Sequence, residues 1–330
     1  MSLDRRTLLA GAAATAALAT RQVGAAGPVY TPDISFKGTS VLITGCSSGF
    51  GRLTAELLAR QGARVFATMR ALPRPEADEL TALAKAENLD LHVIGIDVTE
   101  LPQVNAGVME AERINGGPID VLVNNAGIGI TSPVEVQDMT ATRLIFDTNV
   151  FGPHRMARAV LPGMRKAKSG LIIQISSQLG RVIVPHSGHY SATKFALEAM
   201  SEQLAYELVP HGIDVSIIEP GGYPTKVWVN RNAYSAELKT RSLKSHSDGY
   251  PEQVEQMGKE DGSGRTNDPM DVARAIASLI AQPPGTRPLR LPVSGGAIPQ
   301  TPINRVTAEV QTGWLGNSPY GPMIHAVHDG

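Results

Sequence analysis

The sequence predicts an α/β protein built on one doubly wound sheet of seven parallel strands. Short apolar runs rich in β-branched residues alternate with segments whose apolar residues recur at helical spacing. Such runs are typical of strands buried on both faces, as in parallel sheets covered by helices. Neither an internal repeat nor a linker interrupts the alternation. Residues 36–295 are therefore expected to form a single domain.

The first half of this domain pairs each strand with a following helix. The run TSVLITG (39–45) is apolar, β-branched and ends in glycine, as expected of a buried strand. FGRLTAELLARQG (50–62) has apolar residues at helical spacing and a glycine stop. The same criteria predict strands at 63–69, 89–98 and 119–127, a helix at 76–88 and another helix before the Gly-Gly-Pro break.

The second half continues the pattern with one long helix and one irregular stretch. Residues 138–167 predict a helix that is kinked or interrupted near Pro153, because proline cannot donate a backbone hydrogen bond. Residues 224–265 are polar and glycine-rich and are expected to be irregular. The remaining predicted elements are strands at 170–177, 213–222 and 287–295 and helices at 189–209 and 268–282.

Composition narrows the class of function. A formal net charge of -1, with 42% hydrophobic and 18% charged residues, describes a globular protein with no basic excess for nucleic acid. The single cysteine, Cys46, excludes an intramolecular disulfide and a multi-cysteine metal site; it is either a small packing residue or a redox thiol. His154, His186 and His189 have no partners at ligand spacing, so no metal is expected.

The N-terminal residues 1–26 read as a twin-arginine export signal. Arg5 and Arg6 precede an uncharged run, residues 7–20, that is shorter than the roughly 20 residues needed to span a bilayer. Gly24-Ala25-Ala26 then offers small residues for cleavage. This predicts a periplasmic or otherwise exported protein with the twin-arginine machinery as a partner. The alternative is a cytoplasmic protein whose N-terminus is an amphipathic helix or anchor.

A glycine-rich turn follows the first predicted strand. In TGCSSGFG, Gly45, Gly49 and Gly51 have the spacing G-x3-G-x-G and open the first helix. Glycines there permit a tight turn and a close approach of backbone to phosphate, and the helix N-terminus favours negative charge. A dinucleotide pyrophosphate is the expected ligand, and an ordinary turn is the alternative.

The end of the second strand indicates which dinucleotide binds. An acidic residue there would bind the ribose 2′-hydroxyl of NAD. Here Met69 is followed by Arg70, whose planar guanidinium suits a 2′-phosphate, and Ser48 in the glycine-rich turn is small enough to assist. The sequence therefore favours NADP(H) over NAD(H), unless Arg70 is merely a solvated surface residue.

Tyr190 and Lys194 are four residues apart at the start of a predicted helix and so share a face. A free tyrosine has a pKa of about 10, and a neighbouring lysine charge together with a positive nicotinamide favours the phenolate. Tyr190 is thus predicted to act as acid or base with a lowered pKa. A pair at this spacing also occurs by chance on many helices.

Four motifs in register resemble the short-chain dehydrogenase/reductase family. They are TGCSSGFG (44–51), NNAG (124–127), Ser177 and YSATK (190–194), and the resemblance covers residues 36–295. Within the family, the sequence is especially similar to NADP-dependent hydroxysteroid and retinol dehydrogenase-like members. The resemblance implies a Rossmann fold with strand order 3-2-1-4-5-6-7 and interconversion of a hydrophobic alcohol with a ketone or aldehyde.

The resemblance also implies a role for each site residue. Tyr190 would be the acid/base and Ser177 would hydrogen-bond the substrate. Lys194 would bind the nicotinamide ribose, and Asn149 would hold a water in the proton relay. The implied cofactor-binding residues are Gly45, Ser47, Ser48, Gly49, Phe50, Gly51, Arg70, Asp97, Val98, Asn125, Ala126, Gly127, Tyr190, Lys194, Pro220, Gly221 and Thr225.

Two segments depart from the family pattern. The lid segment (residues 226–266) is a variable substrate lid in the family and here is long and polar, with Trp228, Tyr234 and Tyr250 as candidates to line a pocket. The tail (residues 296–330) either covers a neighbouring subunit or is disordered. The family's pairing through its two long helices implies a homodimer or homotetramer. The rival to an enzyme is a non-catalytic NADP-binding sensor or scaffold.

Overall fold

A seven-stranded sheet lies at the centre of the computed structural model, which describes residues 34–329. All six strand pairings are parallel and the order is β3-β2-β1-β4-β5-β6-β7. The predicted fold class and strand order are confirmed. The strands are β1 Ser40–Ile43, β2 Arg64–Met69, β3 Leu91–Gly95, β4 Val121–Asn124, β5 Gly170–Ile175, β6 Ile213–Pro220 and β7 Arg290–Val293.

Helices cover both faces of the sheet. On one face lie α1 (Gly49–Arg60), α2 (Pro75–Ala86) and α10 (Met270–Ala281); on the other lie α3 (Leu101–Asn115), α5 (Gly152–Ala167) and α6 (Tyr190–Leu208). The remaining helices are α4 Met139–Phe146, α7 Val227–Arg241, α8 Lys244–Ser247, α9 Pro251–Gln256, α11 Gln300–Leu315 and α12 Gly321–His328. No helix within residues 34–329 is long and apolar enough to cross a bilayer.

Two hydrophobic cores explain why the strands are apolar throughout. Along β1, Val41 and Ile43 pack into the core beneath α1, whereas Leu42 packs into the core on the opposite face. All three side chains are fully buried. Burying each such side chain stabilises the fold by about 1.5–3 kcal/mol. An unpaired polar residue at Val41, Leu42 or Ile43 would therefore be costly, whereas the buried Ser40 at the start of the strand is satisfied by hydrogen bonds to Asp120 Oδ2.

The long helix predicted at 138–167 is interrupted, as expected. Its two parts, α4 and α5, are joined by a π-helical turn at Asp147–Phe151, directly before Pro153. A π turn inserts one extra residue per turn and is frequent at functional sites. Here it holds Asn149, which is buried. The interruption thus has a positional consequence for a predicted site residue.

The prediction of an irregular stretch at 224–265 was wrong, because α7, α8 and α9 lie within it. Helix α7 buries only Ser235 and Leu238, so its sequence lacks a strong apolar period. Ser235 Oγ accepts a hydrogen bond from the backbone N–H of Thr131 at 2.9 Å, and this polar contact helps to fix the helix. A hydrophobic pattern could not indicate a helix that docks largely by polar contacts.

The tail forms two helices, α11 and α12, that pack on the chain itself, so the disordered alternative is excluded for residues 300–328. Asn304 donates a hydrogen bond to Glu219 Oε2 at 2.7 Å. Tyr206 Oη and His328 Nε2 are 2.6 Å apart. The tail therefore rests against β6 and α6. The predicted signal at residues 1–26 lies outside the described residues.

Candidate active site

A cavity of about 510 Å³ opens at the carboxyl ends of the strands, where the strand order reverses between β1 and β4. Ligands of open α/β sheets bind at this topological switch point. The cavity brings together nearly all of the predicted site residues; Gly51 and Asn149 are not in its wall. Those that line it are Gly45, Ser47, Ser48, Gly49, Phe50, Arg70, Asp97, Val98, Asn125, Ala126, Gly127, Ser177, Tyr190, Lys194, Pro220, Gly221 and Thr225.

The glycine-rich turn is shaped to admit a phosphate. A Cβ at Gly45 would come within 2.9 Å of Ala126 Cα, and one at Gly51 within 2.5 Å of Asn125 Nδ2. Gly45 has φ +75°, which side chains rarely adopt. Ser48 makes no capping hydrogen bond, and the first turn of α1 carries no acid. This N-terminus is thus free to receive an anion, and the residues fit the pyrophosphate of a dinucleotide.

Asn125 fixes that turn against the neighbouring strand. Its Nδ2 donates to the carbonyl oxygens of Thr44 at 2.8 Å and Gly45 at 3.2 Å. In return, Thr44 Oγ1 accepts the backbone N–H groups of Asn125 at 3.0 Å and Ala126 at 2.9 Å. Gly51, although outside the cavity wall, is needed as glycine because this network leaves no space for a side chain.

Two arginines lie where β2 ends. Arg70 Nη2 donates to Tyr234 Oη at 2.8 Å, and this hydrogen bond raises the pKa of Arg70. Arg74 also lines the cavity and pairs with Glu76 at 2.9 Å. Sequence reasoning found Arg70 but not Arg74, whose only signal is its place in the same loop. Two guanidinium groups at this end are suited to a phosphate.

Lys194 and Tyr190 meet at the opposite end of the cavity. Lys194 Nζ lies 5.8 Å from the centroid of the Tyr190 ring and donates to the carbonyl oxygen of Ile175 at 2.8 Å. Burial lowers the pKa of Lys194 to about 8, against the opposing charge of Glu198. Ser177 Oγ accepts the backbone N–H of Leu179 at 3.1 Å, which orients its hydroxyl group.

The predicted lowering of the Tyr190 pKa is not what the chain itself produces. Burial among the surrounding residues raises the pKa of Tyr190, and this outweighs the lowering by a hydrogen bond with Ser177 and by the charge of Arg231. Lys194 Nζ lies 5.8 Å from the Tyr190 ring and donates to the Ile175 carbonyl oxygen rather than to the phenol oxygen. The lowering was predicted with a positive nicotinamide bound, so it stays a prediction for that state; sequence spacing shows that two groups share a face but not how deeply they are buried.

Asn149 holds the loop after β4 in place. Its Nδ2 donates to the carbonyl oxygen of Ile128 at 2.9 Å and to Thr193 Oγ1 at 3.1 Å, while its Oδ1 accepts the N–H of Ile128 at 2.8 Å. A Cβ at Gly127 would lie 3.3 Å from Asn149 Oδ1 and 3.8 Å from Lys194 Nζ. The π turn therefore links the NNAG loop to the helix that carries Tyr190. A role in a water relay stays a prediction.

The lid segment contributes residues that motif reasoning did not assign. Trp228 and Tyr234 line the cavity, whereas Tyr250 does not and donates to Glu135 at 2.9 Å. Arg231 also lines it and was not predicted. Gln178 and Ser187, between β5 and α6, are further lining residues without a sequence signal.

The other candidate groups take no part in the site. Cys46 is fully buried, and burial raises the pKa of its thiol to about 12, so the redox alternative is overturned. Burial lowers the pKa of His189, whose Nδ1 lies 3.3 Å from Thr142 Oγ1. Within residues 34–329 no three His, Cys, Asp or Glu side chains are grouped so that they could hold a metal ion.

The sheet is doubly wound, and a phosphate-shaped turn and a tyrosine–lysine pair share one cavity at its switch point. This arrangement is that of a nucleotide-dependent oxidoreductase. A family model described as short chain dehydrogenase matches residues 39–235, more than half of the chain. The chain belongs to the short-chain dehydrogenase/reductase family, with relatives among retinol and hydroxysteroid dehydrogenases.

Two curated relatives cover different shares of the chain. A 3-ketodihydrosphingosine reductase of Bacteroides thetaiotaomicron is 38% identical over 73% of this chain and 83% of its own. Retinol dehydrogenase 8 of Bos taurus is 42% identical over 57% of this chain and 60% of its own. The match to the second therefore spans about three fifths of that protein's length.

Solved structures agree with the fold. A short-chain dehydrogenase from Streptomyces avermitilis is 31% identical, with a TM-score of 0.64 over 84% of this chain and 95% of its own. One from Burkholderia phymatum in complex with NAD (23% identical) has a TM-score of 0.68 over 87% of this chain and 98% of its own. A metagenomic oxidoreductase in complex with NADP (24%) has a TM-score of 0.62 over 80% and 100%. These comparisons show that the chain shares the fold of all three proteins.

Proposed function

We propose that this protein is an NADP(H)-dependent oxidoreductase that interconverts an alcohol and a ketone or aldehyde, with Tyr190 as acid/base. The observation that carries this proposal is that Ser177, Tyr190 and Lys194 line one end of a cavity whose other end holds the glycine-rich turn. A carbonyl group beside Tyr190 would therefore lie within the same cavity as a bound dinucleotide. When bound, the nicotinamide supplies or accepts the hydride.

The protein side chains bind the substrate, transfer the proton and hold the cofactor. Ser177 orients the carbonyl oxygen by a hydrogen bond, and Tyr190 donates the proton to that oxygen during reduction. The raised pKa of Tyr190 keeps this proton in place at neutral pH, which favours the role of acid in carbonyl reduction. Lys194, held by the Ile175 carbonyl, keeps a positive charge beside the ring and donates to a ribose hydroxyl group.

A hydrophobic substrate is the third part of the proposal. Ile128, Ile130 and Leu179 line the cavity near the NNAG loop and Ser177, and Val227 of the lid segment also lines it. These side chains provide an apolar wall for a carbon skeleton. A retinol dehydrogenase and a 3-ketodihydrosphingosine reductase among the relatives support this class of substrate.

NADPH is expected to bind at least about tenfold more tightly than NADH, because Arg70 and Arg74 can form charge-assisted hydrogen bonds with a 2′-phosphate. Replacing both arginines by alanine should abolish this difference while leaving NADH affinity within about threefold. The measurement is titration of each cofactor followed by fluorescence. Arg113→Ala, which removes an exposed arginine paired with Glu110, is the matched control. Equal affinities in the wild type would overturn the NADP assignment and leave the fold unaffected.

Export by the twin-arginine route is a separate proposal that rests on the sequence of residues 1–26. That route carries folded cargo, and a cofactor that binds only the native state stabilises it before export. Fractionation of cells that express the full chain should find the protein in the periplasm. Replacing Arg5 and Arg6 by lysine should retain it in the cytoplasm, and an Arg21→Lys chain should still be exported. A wild-type protein found only in the cytoplasm would overturn the proposal.

A further inference from the structure

A cationic side chain lies at the substrate end of the cavity and has no strong partner. Arg231, on α7, lines the cavity with its side chain 20% exposed. Its Nε is buried and forms no hydrogen bond within the described part of the chain. A buried polar group that lacks a partner destabilises a protein, and more so when it is charged. Because Arg231 also lines the cavity, a ligand bound there could supply the missing partner.

The surroundings of Arg231 leave its charge under-compensated. Glu260 lies 3.8 Å from Arg231, but 2.9 Å from Arg265, with which it forms the closer ion pair. Both guanidinium groups stack on Trp228, with Cζ at 4.2 Å and 3.6 Å from the ring. Trp228 is itself fixed by donating from Nε1 to the Tyr223 carbonyl at 2.7 Å. Stacking uses the face of a guanidinium and leaves its N–H edge available.

Arg231 also faces the reacting end of the site. A Cβ at Gly129, two residues after the NNAG loop, would lie 3.0 Å from Arg231 Cδ, so the arginine stem crosses the cavity wall at this loop. Its positive charge lowers the pKa of Tyr190, in opposition to burial. Among the described residues that line the cavity, Asp97 is the acidic one. Its charge acts on Arg70, at the other end of the cavity. At the substrate end, Arg231 and Arg265 therefore share one carboxylate, Glu260, and a net positive charge remains.

We propose that the substrate is an oxo acid, or the corresponding hydroxy acid, whose carboxylate binds the N–H edge of Arg231 and whose apolar chain packs on the cavity wall. The inference rests on the proposed function, whose bond changes leave the carboxylate untouched. A planar guanidinium edge matches a carboxylate with two parallel hydrogen bonds. One arginine balances one negative charge, and the second charge of a phosphate monoester would have no further cation here, since Arg70 and Arg74 are assigned to the 2′-phosphate of the cofactor.

The test compares oxodecanoates that differ in ketone position, each with its methyl ester, as substrates with NADPH. The wild type should reduce the best acid with kcat/KM at least about tenfold above that of its ester. Arg231→Met should lower this acid-to-ester ratio to about one. The ratio is the informative quantity, because any effect of Arg231 through the pKa of Tyr190 acts on acid and ester alike. Arg113→Met, which removes an exposed arginine paired with Glu110 away from the cavity, should keep the wild-type ratio.

A binding measurement separates this inference from the proposed function. Calorimetry should find that decanoate binds the wild type with NADP present at least about tenfold more tightly than methyl decanoate, and that Arg231→Met abolishes the difference. If decanoate binding requires Arg231 but no oxo compound is reduced, the proposed reaction falls and the carboxylate site stands. If acid and ester are equivalent in the wild type, the inference is overturned. It is also overturned if Arg231→Met weakens NADPH binding and leaves the acid-to-ester ratio unchanged.

Discussion

Replacing Tyr190 by phenylalanine is expected to lower kcat for carbonyl reduction by at least about a thousandfold while NADPH still binds. The change removes one oxygen atom and keeps the ring that Lys194 Nζ approaches at 5.8 Å. Ser177 does not replace the lost proton donor, because its Oγ is oriented by the Leu179 N–H and serves to bind the carbonyl oxygen. Steady-state kinetics with an oxo substrate, together with fluorescence titration of NADPH, measure the two effects separately.

Tyr223→Phe is the matched control for this substitution. Tyr223 also lines the cavity, and its hydroxyl group is buried, but its ring packs against Phe50 at 5.4 Å and has no place in the proton transfer. Its kcat should stay within about threefold of the wild type. If Tyr190→Phe retained a tenth of the activity, another group would have to be the acid. A wild type that binds NADPH but reduces nothing would instead favour the non-catalytic sensor or scaffold.

The pH dependence of reduction follows from the direction of the Tyr190 shift. An acid must hold its proton, and burial raises the pKa of Tyr190 above its ordinary value. The rate with wild-type enzyme should therefore be constant through neutral pH and decline only in the alkaline range. This is opposite to the expectation from the Tyr–Lys spacing, which favoured a phenolate near neutrality.

The fold could be predicted because the apolar residues within each strand are enough to indicate a buried parallel strand. Val41, Leu42 and Ile43 alternate between two cores, so β1 has to be apolar on both faces and can only be a central parallel strand. The helices of the lid segment lack this property. Only Ser235 and Leu238 of α7 are buried, and contacts such as that of Ser235 with Thr131 join residues far apart in the sequence.

The same distinction applies within the site. Gly45, Ser177 and Tyr190 were found because they belong to motifs with fixed spacing, and the structure brings them to one cavity. Arg231 has no such motif, and only the packing of α7 over the NNAG loop shows that it faces the same space. Spacing therefore predicted the chemistry, whereas the groups that would select a substrate depended on tertiary contacts.

A second feature that sequence could not indicate is a buried charge cluster that the tail contacts through Asn304. Arg290, on β7, has a side chain 6% exposed and contacts Glu198 at 2.8 Å and Glu202 at 2.6 Å. Glu219 is fully buried 3.8 Å away and accepts a hydrogen bond from Asn304 of the tail. It immediately precedes Pro220, which lines the cavity. Arg290 is therefore the central cation for three carboxyl groups of α6 and β6, with Arg181 acting on Glu219 and His328 3.5 Å from Glu202.

Arg290→Met is expected to lower the free energy of unfolding by about 3–5 kcal/mol at pH 7, because it leaves buried carboxylates without their counter-charge. Urea unfolding followed by circular dichroism measures the loss. Arg290→Lys keeps the charge but loses the fork and should be intermediate, which provides a result if the methionine variant does not fold. Arg305→Met is the control, since Arg305 pairs with Glu309 on the solvent-exposed face of α11 and should have a far smaller effect.

Glu219 gives this prediction its pH dependence. Burial and the charge of Glu198 raise the pKa of Glu219 from 4.5 to about 8, so the folded protein holds this proton more tightly than the unfolded chain. Its contribution to stability is complete below about pH 4.5 and is lost as pH rises through about 8. The deficit of Arg290→Met should therefore be larger at pH 8 than at pH 5, and Glu219→Gln should reduce it at pH 8. A deficit that is equal at both pH values would show that Arg290 acts by packing rather than by charge.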